Sequence, residues 1–288
     1  MTALREALSR ALGRRVGELR PVGGGDLNDA YATEFDDGER VFVKTADDAA
    51  PQAFTREAEG LGWLAEPAAL AVAKVLAVAD EPPGPRFLAL EWIDRAARGA
   101  ETDDLLGRGL ARLHAAGAPA FGGDAELVLG PLTLPNDPVD GWPEFYATRR
   151  LEPLARLASD RGALPAEAFE LLDRLVARLD DLCGPDEPPA RLHGDLWSGN
   201  VLTGAGGHPW LIDPAAYGGH REVDLAMLTL FGSPGAGFLA AYREATPLAD
   251  GYEDRVALWQ VMPLLAHAAL FGGGWGASAV SAMRRYVG

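Results

Sequence analysis

One cysteine, no cluster of basic residues and no long apolar run set the first limits on this 288-residue chain. Cys183 alone can close no internal disulfide and build no metal site, which agrees with a reducing compartment and reads as a small buried hydrophobe near a helix end. Lysine and arginine number 26 against 42 aspartates and glutamates, a net charge of −16, and nowhere do the cations bunch. Phosphate-backbone binding needs such clusters to release counterions, so nucleic acid is not an expected partner. Apolar stretches fall well short of the roughly 20 residues that cross a bilayer, which argues against a membrane partner. The opening MTALREALSR has the pattern of an amphipathic helix, not of a basic segment followed by an apolar one, and a cytoplasmic location is expected. The acidity also constrains any phosphate-bearing ligand, which would have to be held by a divalent cation and a few well-placed basic groups.

What is present divides into two textures. Leu4, Ala7, Leu8, Ala11 and Leu12 repeat at helical spacing and stop at Gly13. PVGGGDLNDAYATEF, the turn Asp36-Asp37-Gly38 and ERVFVKT predict a glycine-led strand, a tight connection and a second strand. Helical spacing returns over 51–66, and VLAVAD and RFLALEWID, joined by Pro82-Pro83-Gly84-Pro85, predict another hairpin. From Thr102, an expected N-cap, helices dominate, and Gly117 closes the first of them. Residues 117–141 are rich in glycine and proline and read as a long loop of the kind that often carries function. Helical patterns cover 142–160, 165–183 and 222–287, with a short strand at HPWLIDP.

The chemistry concentrates in RLHGDLWSGNVL and just beyond it. Asp195, Asn200 five positions later and Asp213 in LIDP each supply a hard oxygen. Asn200 and Asp213, separated by a hairpin, can converge on one Mg²⁺ together with phosphate. That leaves Asp195 free to accept a hydroxyl proton beside the phosphate, the catalytic-loop and metal-loop pattern of kinases. His193 reads as a structural imidazole that holds the loop, and Asp224 as an N-terminal helix carboxylate that supports it.

Such a site calls for a phosphate-cradling loop and a lysine upstream. Gly23, Gly24 and Gly25 precede a strand, where bare backbone N–H groups could approach phosphate oxygens, although a glycine triplet can equally be a flexible turn. In the strand VFVK, Lys44 shares a face with Phe42 and wants a counter-charge. On the helix over 51–66, periodicity places Glu57 at the edge of the apolar face and Glu59 nearly opposite, so Glu57 is the expected partner. Glu91 and Trp92 end the small lobe, where they could offer backbone groups and an apolar wall to an adenine ring, or form an ordinary edge strand.

LHGDLWSGNVL followed by IDPAAYGGHREVDLAMLTLFG resembles the fructosamine 3-kinase family, the ketosamine kinases, relatives of aminoglycoside and choline kinases. GGGDLNDAY, VFVK, FTREAEGL, GWPEFYATRRLE, LWQ, His267 with Phe271-Gly272 and the closing AMRRY follow in the family's order across nearly the whole chain. The resemblance implies an α+β, protein-kinase-like bilobal fold. Residues 1–93 would be a small N-terminal antiparallel β-sheet lobe with one helix that binds ATP, and 94–288 a larger, mainly helical C-terminal lobe for catalysis and substrate. It implies ATP- and Mg²⁺-dependent phosphorylation of the 3-hydroxyl of ketosamines on free amines, peptides or proteins, after which the unstable adduct leaves, a deglycation activity. By position, Asp195 becomes the base, Asn200 and Asp213 the metal ligands, Lys44 the α/β-phosphate contact with Glu57 as its partner, and Trp197 and His267 the substrate residues. The chain departs from the pattern in two ways: its glycine loop carries no cysteine, so a monomer without redox-linked dimers is expected, and Ala and Leu replace the polar run around His267 in LAHAALFG. A kinase for an aminoglycoside or a choline-like alcohol is the alternative. A nucleotide-binding pseudokinase fits less, because both the catalytic and the metal aspartate are present.

Overall fold

The computed structural model describes residues 1–23, 28–46, 49–232 and 234–288. Helix α1 (Thr2–Leu12) opens the chain and stops at Gly13, whose φ of 65° is the left-handed cap the spacing predicts. Strands β1 (Arg20–Pro21), β2 (Asp29–Glu34) and β3 (Arg40–Thr45) are followed by helix α2 (Ala53–Ala65), then β4 (Ala71–Val72), β5 (Val75–Ala79) and β6 (Phe87–Glu91). Five of these strands form one antiparallel sheet in the spatial order β1-β2-β3-β6-β5. The alternation in VFVK gives the sheet two faces. Val41 and Val43, with Phe87 and Ala89, pack on Leu4 and Leu8 of α1. Leu88 and Leu90 pack on Phe54 and Leu61 of α2, with Phe42 against that same cluster. Full burial contributes roughly 1.5–3 kcal/mol per large apolar side chain, so both faces are covered, and Lys44 is carried with Phe42 into the α2 side.

The second half is helical around short strands. Helix α3 (Ala100–Ala115) starts before Thr102. Gly99 is its N-cap, and the Gly99 N–H donates to Thr102 Oγ1 at 3.2 Å. The expected cap therefore acts from the third helical position, the reciprocal half of a capping box. Gly117, with φ 73°, ends the helix region as predicted. The expected loop over 117–141 instead contains a hairpin, β7 (Leu127–Leu129) and β8 (Leu132–Leu134), which buries Leu127, Leu132 and Leu134. Helix α4 (Trp142–Phe145), a π-helical turn over Tyr146–Leu151 and α5 (Glu152–Asp160) run on continuously, followed by α6 (Glu167–Val176) and α7 (Leu179–Leu182). Cys183 is buried, as its sequence reading implied.

Strand β9 (Ala190–Leu192) leads into the RLHGD segment, and β10 (Val201–Thr203) and β11 (Pro209–Leu211) form the hairpin beyond it. Strand β4 pairs in parallel with β11, so one strand from the first quarter of the chain is built into that hairpin. Gly218 and Gly219 lie in β12 (Tyr217–Gly219), which pairs with β9. Helices α8 (Glu222–Leu230), α9 (Ala236–Ala245), α10 (Tyr252–Phe271) and α11 (Trp275–Val287) complete the chain. Among the described residues no helix is long and apolar enough to cross a membrane.

Candidate active site

The segment His193–Asn200 turns sharply between β9 and β10 because Gly194 has φ 82°, and a Cβ there would collide with the Ala215 carbonyl oxygen. His193 is completely buried. Its Nε2 lies 2.9 Å from the Ile212 carbonyl oxygen, and the Asp195 N–H donates to Nδ1 at 3.3 Å. These partners define a neutral ring protonated on Nε2, and burial, outweighing Asp224, lowers its pKa in agreement. Asp224, in the first turn of α8, accepts the N–H of His193 at 2.8 Å and of Gly194 at 3.0 Å. The support assigned to His193 and Asp224 thus has a concrete form: one fixes the loop from its own ring, the other from the backbone.

Asn200 directs its amide NH₂ to the Asp195 carbonyl oxygen at 2.8 Å and to Asp195 Oδ2 at 3.2 Å, which leaves its Oδ1 turned to other partners. The Ile212 N–H donates to the Asn200 carbonyl oxygen at 3.1 Å, bringing the two strands of the hairpin together next to Asp213. Asp213 itself sits at φ 55°, a left-handed conformation that is uncommon outside glycine and that tends to mark functional sites.

Lys44 reaches across from the sheet. Its Nζ lies 2.8 Å from Glu57 Oε1 and 2.6 Å from Asp213 Oδ1, joining β3, α2 and the β11 loop in one charged cluster. Glu59, the alternative partner, points to solvent and pairs with Arg56, so helical periodicity chose correctly. Burial would strip Lys44 of its proton, but the two carboxylates outweigh it and hold the amine above its ordinary range. Burial pushes Glu57 up to about 7 against the pull of Lys44. Asp195 is also raised to about 7, first by burial and then by the charge of Asp213. The carboxylates here exceed what Lys44 can neutralise, which is the electrostatic setting a divalent cation would relieve.

A cavity of about 1000 Å³ opens from this cluster. Lys44, Glu57, Asp195, Asn200 and Asp213, in contact with one another, line part of it. Trp197, Phe231, His267 and Trp275 line another part as a packed cluster of rings, with Phe231 and His267 ring centroids 4.9 Å apart and His267 and Trp275 also 4.9 Å apart. The predicted substrate residues Trp197 and His267 therefore share the cavity with the predicted catalytic and metal residues. Glu91 and Trp92 are not on its walls. The Glu91 N–H donates to the Lys74 carbonyl oxygen at 2.9 Å, so that one backbone group is engaged within the protein. The Trp92 ring lies beneath the Arg40 guanidinium at 4.8 Å and its Nε1–H donates to Asp94. Gly23 stands in open space, and Gly24 and Gly25 lie outside the described residues.

A profile of fructosamine kinases matches residues 1–288, from the first helix to the last. The chain belongs to the fructosamine kinase family. It is 36% identical over 264 residues to a "probable ketoamine kinase" of Synechocystis, covering 91% of this chain and 87% of that one. It is 32% identical to a ketosamine-3-kinase of Mus musculus, covering 91% and 92%. Among solved structures it superposes with a TM-score of 0.91 on a protein of Thermobifida fusca described as a candidate fructosamine-3-kinase, 40% identical over 100% of this chain and 99% of that one. An aminoglycoside phosphotransferase, 16% identical, superposes at 0.64 over 100% and 99%, a likeness of fold. The protein-kinase-like fold implied by the sequence is thus the fold of this fructosamine kinase family member.

Two parts of this family member's site escaped the sequence reading. The cavity wall formed by β7, β8 and the residues before them was taken as loop, although Leu127-Val128-Leu129 and Leu132-Thr133-Leu134 around Gly130-Pro131 carry a hairpin signal. Behind Asp224, His114 Nε2 lies 3.2 Å from Oδ2, and His114 Nδ1 lies 2.8 Å from the Tyr242 hydroxyl. The only trace of this chain of contacts in the sequence is a histidine among Leu106, Leu110 and Leu113 on the buried side of α3.

Proposed function

We propose that this fructosamine kinase family member transfers the γ-phosphoryl group of ATP to the 3-hydroxyl of ketosamines, the fructose- and ribulose-type adducts of amines, and so acts in deglycation. The observation that carries the reading is the meeting of Lys44, Glu57, Asp195, Asn200 and Asp213 in the lining of a cavity with room for a sugar and its amine, in a chain that matches the family over its full length.

In this reading residues 1–93 form the nucleotide lobe and 94–288 the catalytic and substrate lobe. The glycine segment that includes Gly23, Gly24 and Gly25 lies along the phosphates, Lys44 binds the α- and β-phosphate oxygens, and Glu57 holds Lys44 in place. The adenine packs near the strand end at Glu91 and Trp92. The donor set fits Mg²⁺: the Asp213 carboxylate and the Asn200 side-chain oxygen are hard donors, and Mg²⁺ is commonly held by one or two carboxylates plus substrate phosphates. Mg²⁺, when bound, supplies neutralisation of charge on the phosphate oxygens.

Asp195 accepts a hydrogen bond from the sugar 3-hydroxyl, aims its oxygen in line with the phosphoryl group and takes its proton. Such transfer needs positioning more than covalent help, and a carboxylate whose pKa is raised to about 7 by burial is matched to receive a proton near neutrality. Trp197, folded over Gly199, stacks beside the sugar, and His267 lines the wall on which the amine half rests. One chain supplies every one of these groups, so a cytoplasmic monomer suffices.

A screen with Mg²⁺-ATP and ribuloselysine, fructoselysine, an aminoglycoside and choline tests the reading. ADP release with the ketosamines is expected. Turnover confined to the aminoglycoside or choline would overturn it in favour of the related phosphotransferases.

A further inference from the structure

The lining of the cavity includes two unlike groups of residues. One is aromatic: Phe231 packs on Trp197 at 5.9 Å between centroids, on His267 at 4.9 Å and on Trp275 at 5.7 Å. Trp197 keeps 37% of its surface exposed and Phe271, also on the wall, 46%, a high value for large rings beside a catalytic group. The other is the segment leading into β7, from which Asp124 and Glu126 line the cavity. Neither carboxylate makes an ion pair among the described residues. The cations nearest in the lining are already engaged, Lys44 with Glu57 and Asp213, and Arg56 with Glu59 and Gln52.

The acidic wall is held in position from behind. Asn136 Nδ2–H donates to the Ala125 carbonyl oxygen at 2.9 Å, between the two acidic residues, and Asn136 Oδ1 accepts from Arg150 Nη2 at 2.6 Å. Arg150 is fully buried by the π-helical turn, sits over the rings of Phe145 and Tyr217 and bonds the Pro135 carbonyl oxygen as well. The Gly122 N–H and the Gly218 carbonyl oxygen, 2.8 Å apart, tie the same segment to β12. A wall fixed in this way presents its charges without ordering cost on binding.

We infer that this part of the cavity selects the amine half of the substrate, and that it favours ketosamines whose amine carries a second positive charge, such as a singly glycated diamine or a basic peptide, over those bearing a carboxylate. The inference rests on the ketosamine kinase reading and adds the class of amine to it. Aromatic faces attract alkylammonium groups through the ring quadrupole, and unpaired carboxylates attract the same ions while repelling anions, so both walls point one way. A single sugar fills a minor part of about 1000 Å³, so the amine half has nowhere else within the cavity to lie.

Three ketosamines with one sugar test this: the adducts of 1,4-diaminobutane, of butylamine and of 4-aminobutyrate, each assayed with Mg²⁺-ATP at low and high salt. The expected order of kcat/KM is diamine, butylamine, aminobutyrate, with about 3- to 10-fold between the first two, the scale of one or two solvent-exposed charge contacts. High salt should compress the order. In the double variant Asp124→Asn, Glu126→Gln, the ratio of diamine to butylamine should fall toward one. Equal kcat/KM for all three, or an order that survives both salt and the double variant, overturns the inference and leaves the ketosamine reading standing. No turnover with any of the three overturns both.

Discussion

Two parts of the cavity lining are charged in different ways. Around Lys44 the charged groups are largely buried and touch polar partners: Lys44 with Glu57 and Asp213, and Asp195 with the Asn200 amide. Elsewhere in the lining Asp124 and Glu126 are exposed, and the apolar surface around Trp197 and Phe271 is open to solvent. Buried ions are costly to leave unpaired and so hold one geometry, which suits a reaction that depends on in-line placement. Exposed ions interact weakly and adjustably, which suits discrimination among amines.

Breaking the buried part at its reacting group should have the largest effect. Asp195→Asn is expected to lower kcat by roughly 10² to 10⁴, the scale of general-base contributions, with an unchanged melting transition, because the asparagine removes a carboxylate that burial already disfavours. Single-turnover kinetics beside a thermal melt reads both; near-normal kcat removes Asp195 from its role.

Next is the floor beneath that group. Asp224→Ala leaves the N–H groups of His193 and Gly194 buried without an acceptor and should cost about 2–5 kcal/mol of stability, measured by urea unfolding. A cost under about 1 kcal/mol would mean that the loop holds its shape without the carboxylate.

Lys44→Met separates charge pairing from packing in the same part. Removing the cation from a buried cluster should cost about 3–5 kcal/mol at pH 8. Without Lys44 the burial of Glu57 is unopposed, so its pKa rises above the value of about 7 that it holds beside the lysine, the folded variant takes up a proton, and the cost shrinks as pH falls from 8 toward and through 7. Unfolding at pH 8 and pH 5 checks the sign. A penalty that grows toward pH 5 would contradict it.

The smallest effect belongs to the open part. Trp197→Ala should raise KM for a ketosamine by about 2- to 12-fold, the scale of one aromatic contact, and leave stability nearly unchanged because the ring is more than a third exposed. A change confined to kcat would instead move Trp197 toward the reacting atoms.

What could be read in advance followed local repetition. Lys44 and Glu57 were legible because a period of two in VFVK and a period of 3.6 over 51–66 each fix a face, and the two faces meet. His193, Asp195 and Asn200 were legible because their spacing lies within one loop. The hairpin at 127–134 was missed because glycine and proline on both sides mask an alternation only three residues long. Thr102 was misplaced by one turn because its hydroxyl accepts the N–H of Gly99 from the third helical position, where the capping box usually has Glu or Gln. The π-helical turn that buries Arg150 has no periodic signature, and the pairing of β4 with β11 joins residues about 140 apart.

The sequence by itself determined the family, the two textures of the chain and which charged and polar groups are candidates for the site, since each follows from residue type and short-range spacing. Tertiary structure alone decided that Lys44 bonds Asp213 as well as Glu57, that Asp224 is backed by His114 and Tyr242, and that Asp124 and Glu126 line the same cavity as the rings of Phe231 and Trp275. The physical reason is that these contacts are made between elements far apart in the chain, where the burial of apolar faces sets the distance and no local pattern records which charge lies opposite which.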